Sequence, residues 1–233
     1  MPDADTILSL DDVQYRWPGR ASFGLHVPKL TLAPAETVLL LGESGSGKST
    51  LLSLICGTII AQSGVVSVAG NNIASLSAGK RDRFRAETIG LIFQQFNLLP
   101  FASVQDNILL PLQFAPMRRK RVTGLVAEAE RLCRALGLPG DIMTVRAGVL
   151  SVGQQQRVAA ARALIGTPQL IIADEPTSSL DATTQATFLQ LLFAQSRGHD
   201  TTLLMVSHDA RLSSQFDRVI QMADIVQTVR GGA

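Results

Sequence analysis

The chain has 233 residues, 46% of them apolar, a formal net charge of +2 and two cysteines. That length holds one large domain or two small ones, and the apolar share is enough for a sizeable core. A charge so near neutrality gives no strong pull toward nucleic acid or acidic lipid. Cys56 and Cys133 stand far apart among apolar residues of predicted helices, so they read as buried free thiols of a reduced, intracellular protein. No stretch reaches the ~18 consecutive apolar residues of a membrane span. Met1-Pro2-Asp3-Ala4-Asp5 carries acids where a secretory signal is basic. The expectation is a soluble protein whose membrane role, if any, comes through a partner.

Residues 7–14, 25–32, 38–41, 65–68 and 89–93 alternate or run apolar as strands do. A polar stretch with Arg81, Arg83 and Arg85 links the last two. This opening is strand-rich, as expected for antiparallel β structure. Residues 123–136 place Leu125, Ala129, Leu132, Cys133 and Leu136 at helical spacing, with Gly137 as C-cap and Pro139 beyond. Residues 154–165 form a second helix, ended by Gly166 and Pro168, and 103–146 reads as a small helical insertion. Then come a strand at 170–173, a helix at 183–195 and a strand at 202–206. A closing hairpin is expected from 219–222 and 225–229, turned at Ala223-Asp224. Strands alternating with helices argue for a mostly parallel α/β sheet. The run Arg118-Arg119-Lys120-Arg121 reads as a solvated loop, with contact to anionic lipid headgroups or a protein partner as the alternative.

Two stretches carry chemistry by themselves. Gly42-Glu43-Ser44-Gly45-Ser46-Gly47-Lys48-Ser49 fits G-x-x-x-x-G-K-[ST] without a mismatch. It sits between an apolar strand and the start of a helix that continues through Thr50 and Leu51. That is the geometry in which glycine backbone N–H groups and a helix N-terminus surround phosphate. Lys48 is expected to reach the β- and γ-phosphates of ATP and Ser49 to ligate Mg²⁺. Leu170-Ile171-Ile172-Ala173-Asp174-Glu175 then delivers two carboxylates at the C-terminal end of a strand, where open α/β sheets bind ligands. Asp174 is expected to hold Mg²⁺, directly or through water. Glu175 is expected to polarise the water that attacks the γ-phosphate.

Leu150-Ser151-Val152-Gly153-Gln154 resembles the L-S-G-G-Q signature of ATP-binding-cassette ATPases, and it lies between the other two stretches, where that family places it. The resemblance runs over nearly the whole chain. It implies an α/β P-loop fold with a RecA-like core, an antiparallel β subdomain and an inserted helical subdomain. Residues 1–233 would form a single ATPase domain, with core and β subdomain at about 1–95 and 168–233 and the helical subdomain at about 96–167. It also implies a head-to-tail homodimer in which Ser151, Gly153 and Gln154 meet the ATP held by the opposite subunit. Val152 departs from the pattern, because it stands at the first signature glycine and a β-branched residue excludes positive φ. Gln94, rather than Gln95, resembles the glutamine that reaches Mg²⁺ and the attacking water. Ser178-Ser179-Leu180-Asp181 resembles the loop whose aspartate lies against the partner's site, with Ser179 in place of alanine. His208 in Val206-Ser207-His208-Asp209 matches the histidine that contacts the γ-phosphate. Trp17 fits the aromatic platform for adenine, with Tyr15 as the fallback. His26 and His199 match nothing and read as surface residues.

Gly90-Leu91-Ile92-Phe93-Gln94-Gln95-Phe96-Asn97-Leu98-Leu99-Pro100 looks like the macrolide-exporter and lipoprotein-releasing group of cassettes. That resemblance implies a peripheral ATPase on the cytoplasmic face of the inner membrane. Its partner would be a permease with few membrane helices and a large periplasmic domain, used for export or mechanical work. Phe96, Leu98, Leu99 and Phe101 would line the apolar groove for the permease's coupling helix, or merely cover a subdomain junction. The alternatives are the ATPase of an importer, a soluble cassette protein and a small-molecule kinase. Lys48 and Ser151 stand too close in sequence for the long coiled coil of many soluble cassette proteins. Glu175 is better placed to activate water than a substrate hydroxyl. No nucleic acid partner is expected.

Overall fold

The computed structural model describes residues 6–18, 24–178 and 180–229. In chain order the elements are β1 (Leu8–Arg16), β2 (Gly24–Leu32), β3 (Thr37–Leu41), α1 (Lys48–Ile55), β4 (Ser63–Val68), β5 (Asn71–Asn72) and α2 (Ala78–Thr88). There follow β6 (Ile89–Ile92), α3 (Val104–Leu109), α4 (Pro111–Phe114), α5 (Pro116–Lys120), α6 (Leu125–Ala135), α7 (Val152–Leu164) and β7 (Leu170–Asp174). The chain closes with α8 (Ala182–Arg197), β8 (Thr202–Ser207), β9 (Arg218–Gln221), α9 (Met222–Ile225) and β10 (Gln227–Val229). It divides into two compact units, residues 1–85 with 206–233, and residues 86–205. Met1-Pro2-Asp3-Ala4-Asp5 and Ser179 lie outside the described residues.

In the first unit an antiparallel sheet runs in the order β10-β2-β1-β4-β5. Leu8 faces Leu32, Leu10 faces Leu30 and Val13 faces Val27 across β1 and β2. All six side chains are buried, so the period-2 apolar pattern fixes the register. β3 is buried along its whole length and pairs in parallel with β9, Val38 opposite Arg218 and Leu41 opposite Gln221. Such an unbroken apolar run is what a strand covered on both faces requires. The Asp217 carboxylate accepts from both the N–H and the hydroxyl of Thr37, at 2.9 and 2.6 Å, and so pins the start of this pair.

One expectation fails in this unit. The closing segments do not form a hairpin. β9 joins β3, β10 joins β2 with Thr228 opposite Leu25, and the helical turn α9 separates them. The segment lacks the glycine-bearing two-residue turn that would fold it back on itself, and each strand instead satisfies its backbone on a distant partner. The polar stretch with Arg81, Arg83 and Arg85, which the sequence left without an element, lies within the helix α2. It has almost no apolar stripe, so hydrophobic periodicity could not reveal it. Good helix formers and the bonds from Arg81 Nη1 to the Leu76 carbonyl (2.6 Å) and from Arg85 Nη1 to the Cys56 carbonyl (3.2 Å) hold it.

In the second unit β6 and β7 pair in parallel, Ile89 opposite Leu170 and Ile92 opposite Ala173. Val104, Ile108, Leu132, Cys133, Leu136 and Val158 form a buried helical core. Gly90 allows β6 and α7 to approach closely, because a Cβ there would lie 2.3 Å from the Ala163 carbonyl oxygen. Cys56 and Cys133 are both buried free thiols, and burial pushes the Cys133 thiol up to about 11.

The basic run is also corrected. Residues 116–120 form α5, and Arg118 is only 1% exposed. Its guanidinium donates to the carbonyls of Ala86 (3.0 Å), Ile89 (3.3 Å), Ala163 (3.1 Å) and Ile165. Glu87 accepts the N–H groups of Met117 and Arg118 at the start of α5, at 3.0 and 2.9 Å. Burial holds the guanidinium down at about 10, and the neighbouring Arg121 charge acts in the same direction. Among the described residues no helix is long and apolar enough to cross a membrane.

Candidate nucleotide site

In the loop from β3 to α1 the Gly42 N–H donates to the Ser207 carbonyl and the Ser46 N–H to the Glu43 carbonyl, both at 3.2 Å. Gly45 and Gly47 take φ of 80° and 99°, left-handed values that cost glycine little. Gly47 is the N-cap of α1, no side chain caps that helix, and no acid occupies its first turn. No side chain takes the first N–H groups of α1, and the helix dipole favours an anion in front of them. Ser46 Oγ is buried without a hydrogen-bond partner. A buried hydroxyl left this way carries a desolvation cost unless a ligand completes it. Lys48 Nζ donates to the loop's own carbonyls, Gly42 at 2.7 Å and Glu43 at 2.8 Å.

The fold brings His208 to this loop. A cavity of about 610 Å³ is lined by Gly42, Glu43, Ser46, His208, Met222 and Val226, among others. The Trp17 indole N–H donates to Thr50 Oγ1 at 3.1 Å, and the Tyr15 ring stands edge-on to Trp17 with centroids 5.3 Å apart. Trp17 itself is 36% exposed. The first unit thus gathers Trp17, residues 42–50 and His208. Ser44 and Ser49 are exposed in the same segment.

The second unit carries Gln94, Ser151, Gly153, Gln154, Asp174, Glu175 and Asp181. Asp174 ends β7, and Glu175 follows with φ of 43°. A left-handed glutamate is uncommon, and such backbone is found where the surroundings hold a functional side chain in place. Gln156, fully buried, donates to the Pro176 carbonyl at 2.8 Å. Gln185 donates to Thr177 Oγ1 at 2.8 Å. These two glutamines brace the turn after Glu175. Sequence reasoning missed both, since only packing separates them from ordinary helix glutamines.

Ser151 is the N-cap of α7. Its Oγ accepts from the Gln154 N–H at 3.3 Å, and Gln154 Oε1 accepts from the Ser151 N–H at 3.0 Å. This is a capping box, legible in retrospect from Ser-x-x-Gln. Val152 is the first residue of the helix and 50% exposed. Its backbone is not in the left-handed region, so no glycine is needed there for conformational reasons. Asp181 caps α8, its Oδ1 accepting from the Thr183 and Thr184 N–H groups at 3.1 and 3.0 Å. The Thr184 hydroxyl, then the backbone bonds, hold this carboxyl below the usual carboxylate range.

Gln94 is exposed one residue past the exposed Phe93, in a turn closed by the Phe96 N–H on the Phe93 carbonyl at 2.9 Å. The expected apolar groove is altered at one position. Phe96 is buried, with φ of 58°, and offers no docking face. Leu98 and Leu99 are half-buried and Phe101 is 74% exposed.

Among the described residues no group of three or more His, Cys, Asp or Glu could hold a metal. An all-protein cage is also not what a nucleotide-bound Mg²⁺ needs. That ion takes one or two protein oxygens and completes its shell with phosphates and water. Ser49, in the first unit, exposes a hydroxyl at the start of α1, and Asp174, in the second, ends β7 with a carboxylate; each is an oxygen donor of the type that ion accepts.

Residues 25–178 match the family model described as ABC transporter. The chain is 39% identical over 196 residues to the uncharacterized ABC transporter ATP-binding protein YbbA of Escherichia coli K12, covering 84% of each. It is 42% identical over 201 residues to the lipoprotein-releasing system ATP-binding protein LolD of Anaeromyxobacter dehalogenans, covering 86% of this chain and 82% of that one. It is 39% identical to the macrolide export ATP-binding/permease protein MacB of Rhodopirellula baltica, but spans only 28% of that protein. The dimeric ATP-binding cassette MJ0796, in a post-hydrolysis state with ADP and phosphate, superimposes with a TM-score of 0.75 at 30% identity, covering 97% of this chain and 99% of that one. With its phosphate loop, its strand-end carboxylates and these relatives, the chain belongs to the ABC transporter family and is one of its ATP-binding ATPase cassettes.

Proposed function

We propose that this cassette drives a membrane permease by ATP-dependent closure of a homodimer, in export or mechanical work on substrates beyond the inner membrane. The observation that carries the nucleotide reading is the uncapped N-terminus of α1 behind two left-handed glycines, with the partnerless Ser46 hydroxyl beside it. In this reading the loop N–H groups of residues 42–50 hold the phosphates of ATP. Lys48 exchanges the carbonyls of Gly42 and Glu43 for phosphate oxygens. Trp17 stacks on adenine, and His208 contacts the γ-phosphate. Ser49, Asp174 and Gln94 would hold Mg²⁺, which when bound neutralises charge on the phosphate oxygens. Glu175 is the general base for the attacking water. Ser151, Gly153, Gln154 and Asp181 serve the nucleotide of the opposite subunit.

The export branch is supported by relatives named for macrolide export and lipoprotein release, and by the residues around Gln94. In this reading the cassette lies at the cytoplasmic face of the membrane. Phe93 and Phe101, exposed on the segment that carries Gln94, then replace Phe96 as the aromatic contacts for the permease.

Tagged Glu175→Gln protein, captured from native membranes with ATP present, tests the reading. The variant should bind ATP, hydrolyse it at least ~100-fold more slowly and retain the permease. A permease of few membrane helices with a large periplasmic domain is the expected companion. A many-helix permease with a periplasmic binding protein would make this an importer, and no membrane companion would point to a soluble cassette. Hydrolysis at the natural rate would remove Glu175 as the base.

A further inference from the structure

The turn that presents Gln94 is held from outside itself. Phe96 and Asn97 take φ of 58° and 48°, two successive left-handed residues with side chains. Chains of L-residues seldom adopt this conformation twice in a row, and it persists only where the surroundings impose it. The imposing group is Arg162, in the last turn of α7. It is 8% exposed, and its guanidinium donates from Nη1 to the Asn97 carbonyl at 2.7 Å and from Nη2 to the Phe96 carbonyl at 2.5 Å. The left-handed backbone aims both carbonyls at one planar fork, a geometry that a lysine ammonium cannot match. A second pin lies two residues on. Asn107, fully buried, accepts from the Leu99 N–H at 2.7 Å and donates to the Leu99 carbonyl at 3.1 Å. Neither Arg162 nor Asn107 hydrogen-bonds to Gln94. Together they fix the backbone that carries it, and Arg162 does so from the same helix whose first turn bears the Ser151 capping box.

We propose that Arg162 is a positioning residue for ATP hydrolysis, its guanidinium locking the Phe96 and Asn97 carbonyls so that the preceding turn holds Gln94 ready for the water and Mg²⁺. The proposal rests on the role assigned to Gln94 above. It makes the C-terminal turn of α7 part of the hydrolytic apparatus, although no atom of Arg162 needs to meet the nucleotide.

A double-mutant cycle between Arg162→Lys and Gln94→Ala decides it. Steady-state hydrolysis and equilibrium binding of a fluorescent ATP analogue are measured on the full chain. Arg162→Lys should lower kcat about tenfold or more while ATP affinity stays within about twofold, and the double variant should be no slower than Gln94→Ala alone. Amide hydrogen exchange should speed up in residues 93–99 and stay unchanged in β7, which separates loss of the clamp from general unfolding. If Arg162→Lys is too unstable to assay, Arg162→Gln, which keeps one donor group, takes its place in the cycle. A natural kcat in the Arg162 variant, or losses that multiply in the double variant, overturns the proposal and leaves Gln94 in place. A natural kcat in Gln94→Ala removes the Gln94 role and with it any route through that residue.

Discussion

Lys48 Nζ lies 2.7 Å from the Gly42 carbonyl, six residues before it in the same loop, and closes the loop on itself. The bond to Glu43 at 2.8 Å completes the closure. The lysine is buried, and these two carbonyls share its charge; in the proposed site, phosphate would take their place. Lys48→Ala should therefore act twice. ATP affinity should fall at least ~10-fold, about 1.4 kcal/mol, in equilibrium titration with a fluorescent analogue. The nucleotide-free chain should also lose about 1–3 kcal/mol of stability, from charge-assisted hydrogen bonds no longer made. A variant that binds ATP normally would show that Lys48 stays on the loop carbonyls.

Val152 occupies an exposed helical position at the start of α7, and the capping box between Ser151 and Gln154 forms around it. Restoring the family glycine by Val152→Gly should change the hydrolysis rate by less than about tenfold, or about 1.4 kcal/mol of barrier. A larger gain would mean that the valine side chain obstructs the signature. Ser151→Ala, in contrast, should cost about 1 kcal/mol of stability in urea denaturation through loss of the cap.

Arg118 joins the carbonyls of Ala86, Ile89, Ala163 and Ile165. Arg118→Met should destabilise the chain by about 3–5 kcal/mol, because several buried carbonyls lose their donor at once. Arg118→Lys should recover only part of that, since an ammonium cannot fork across separate carbonyls. Arg119→Ala, on the exposed face of the same helix, should shift the urea midpoint little.

Asp181 has its carboxyl held below the ordinary range by Thr184 and the first backbone N–H groups of α8. A carboxyl with a depressed folded-state pKa contributes stability that is present above its unfolded value and is lost as pH falls through the folded value. Urea midpoints of the natural chain should therefore exceed those of Asp181→Ala at neutral pH, and the gap should close in acid. A gap that persists unchanged at low pH would show that the carboxylate form is not what caps the helix.

The groups that bear chemistry were legible because their signals are local. The strand before Gly42, the glycines and the helix after Lys48 are contiguous, so one stretch of sequence encodes the whole cradle. Asp174 and Glu175 were likewise marked by four apolar residues ahead of them. What holds these groups was not legible. Gln156 beneath Pro176 and Arg162 beneath Asn97 look like any polar residues of an amphipathic helix until the chain packs.

The sequence by itself therefore marked the glycine-rich loop between β3 and α1, most of the strands and the candidate reactive side chains, since each depends on residues within a few positions of one another. Only the tertiary structure decided that β9 and β10 part company for β3 and β2. The same holds for Arg118, which turns inward, and for Arg162, which clamps a left-handed turn. Each of these is a backbone hydrogen bond or a carbonyl satisfied by a group far away in the chain, and no local pattern specifies which distant group arrives.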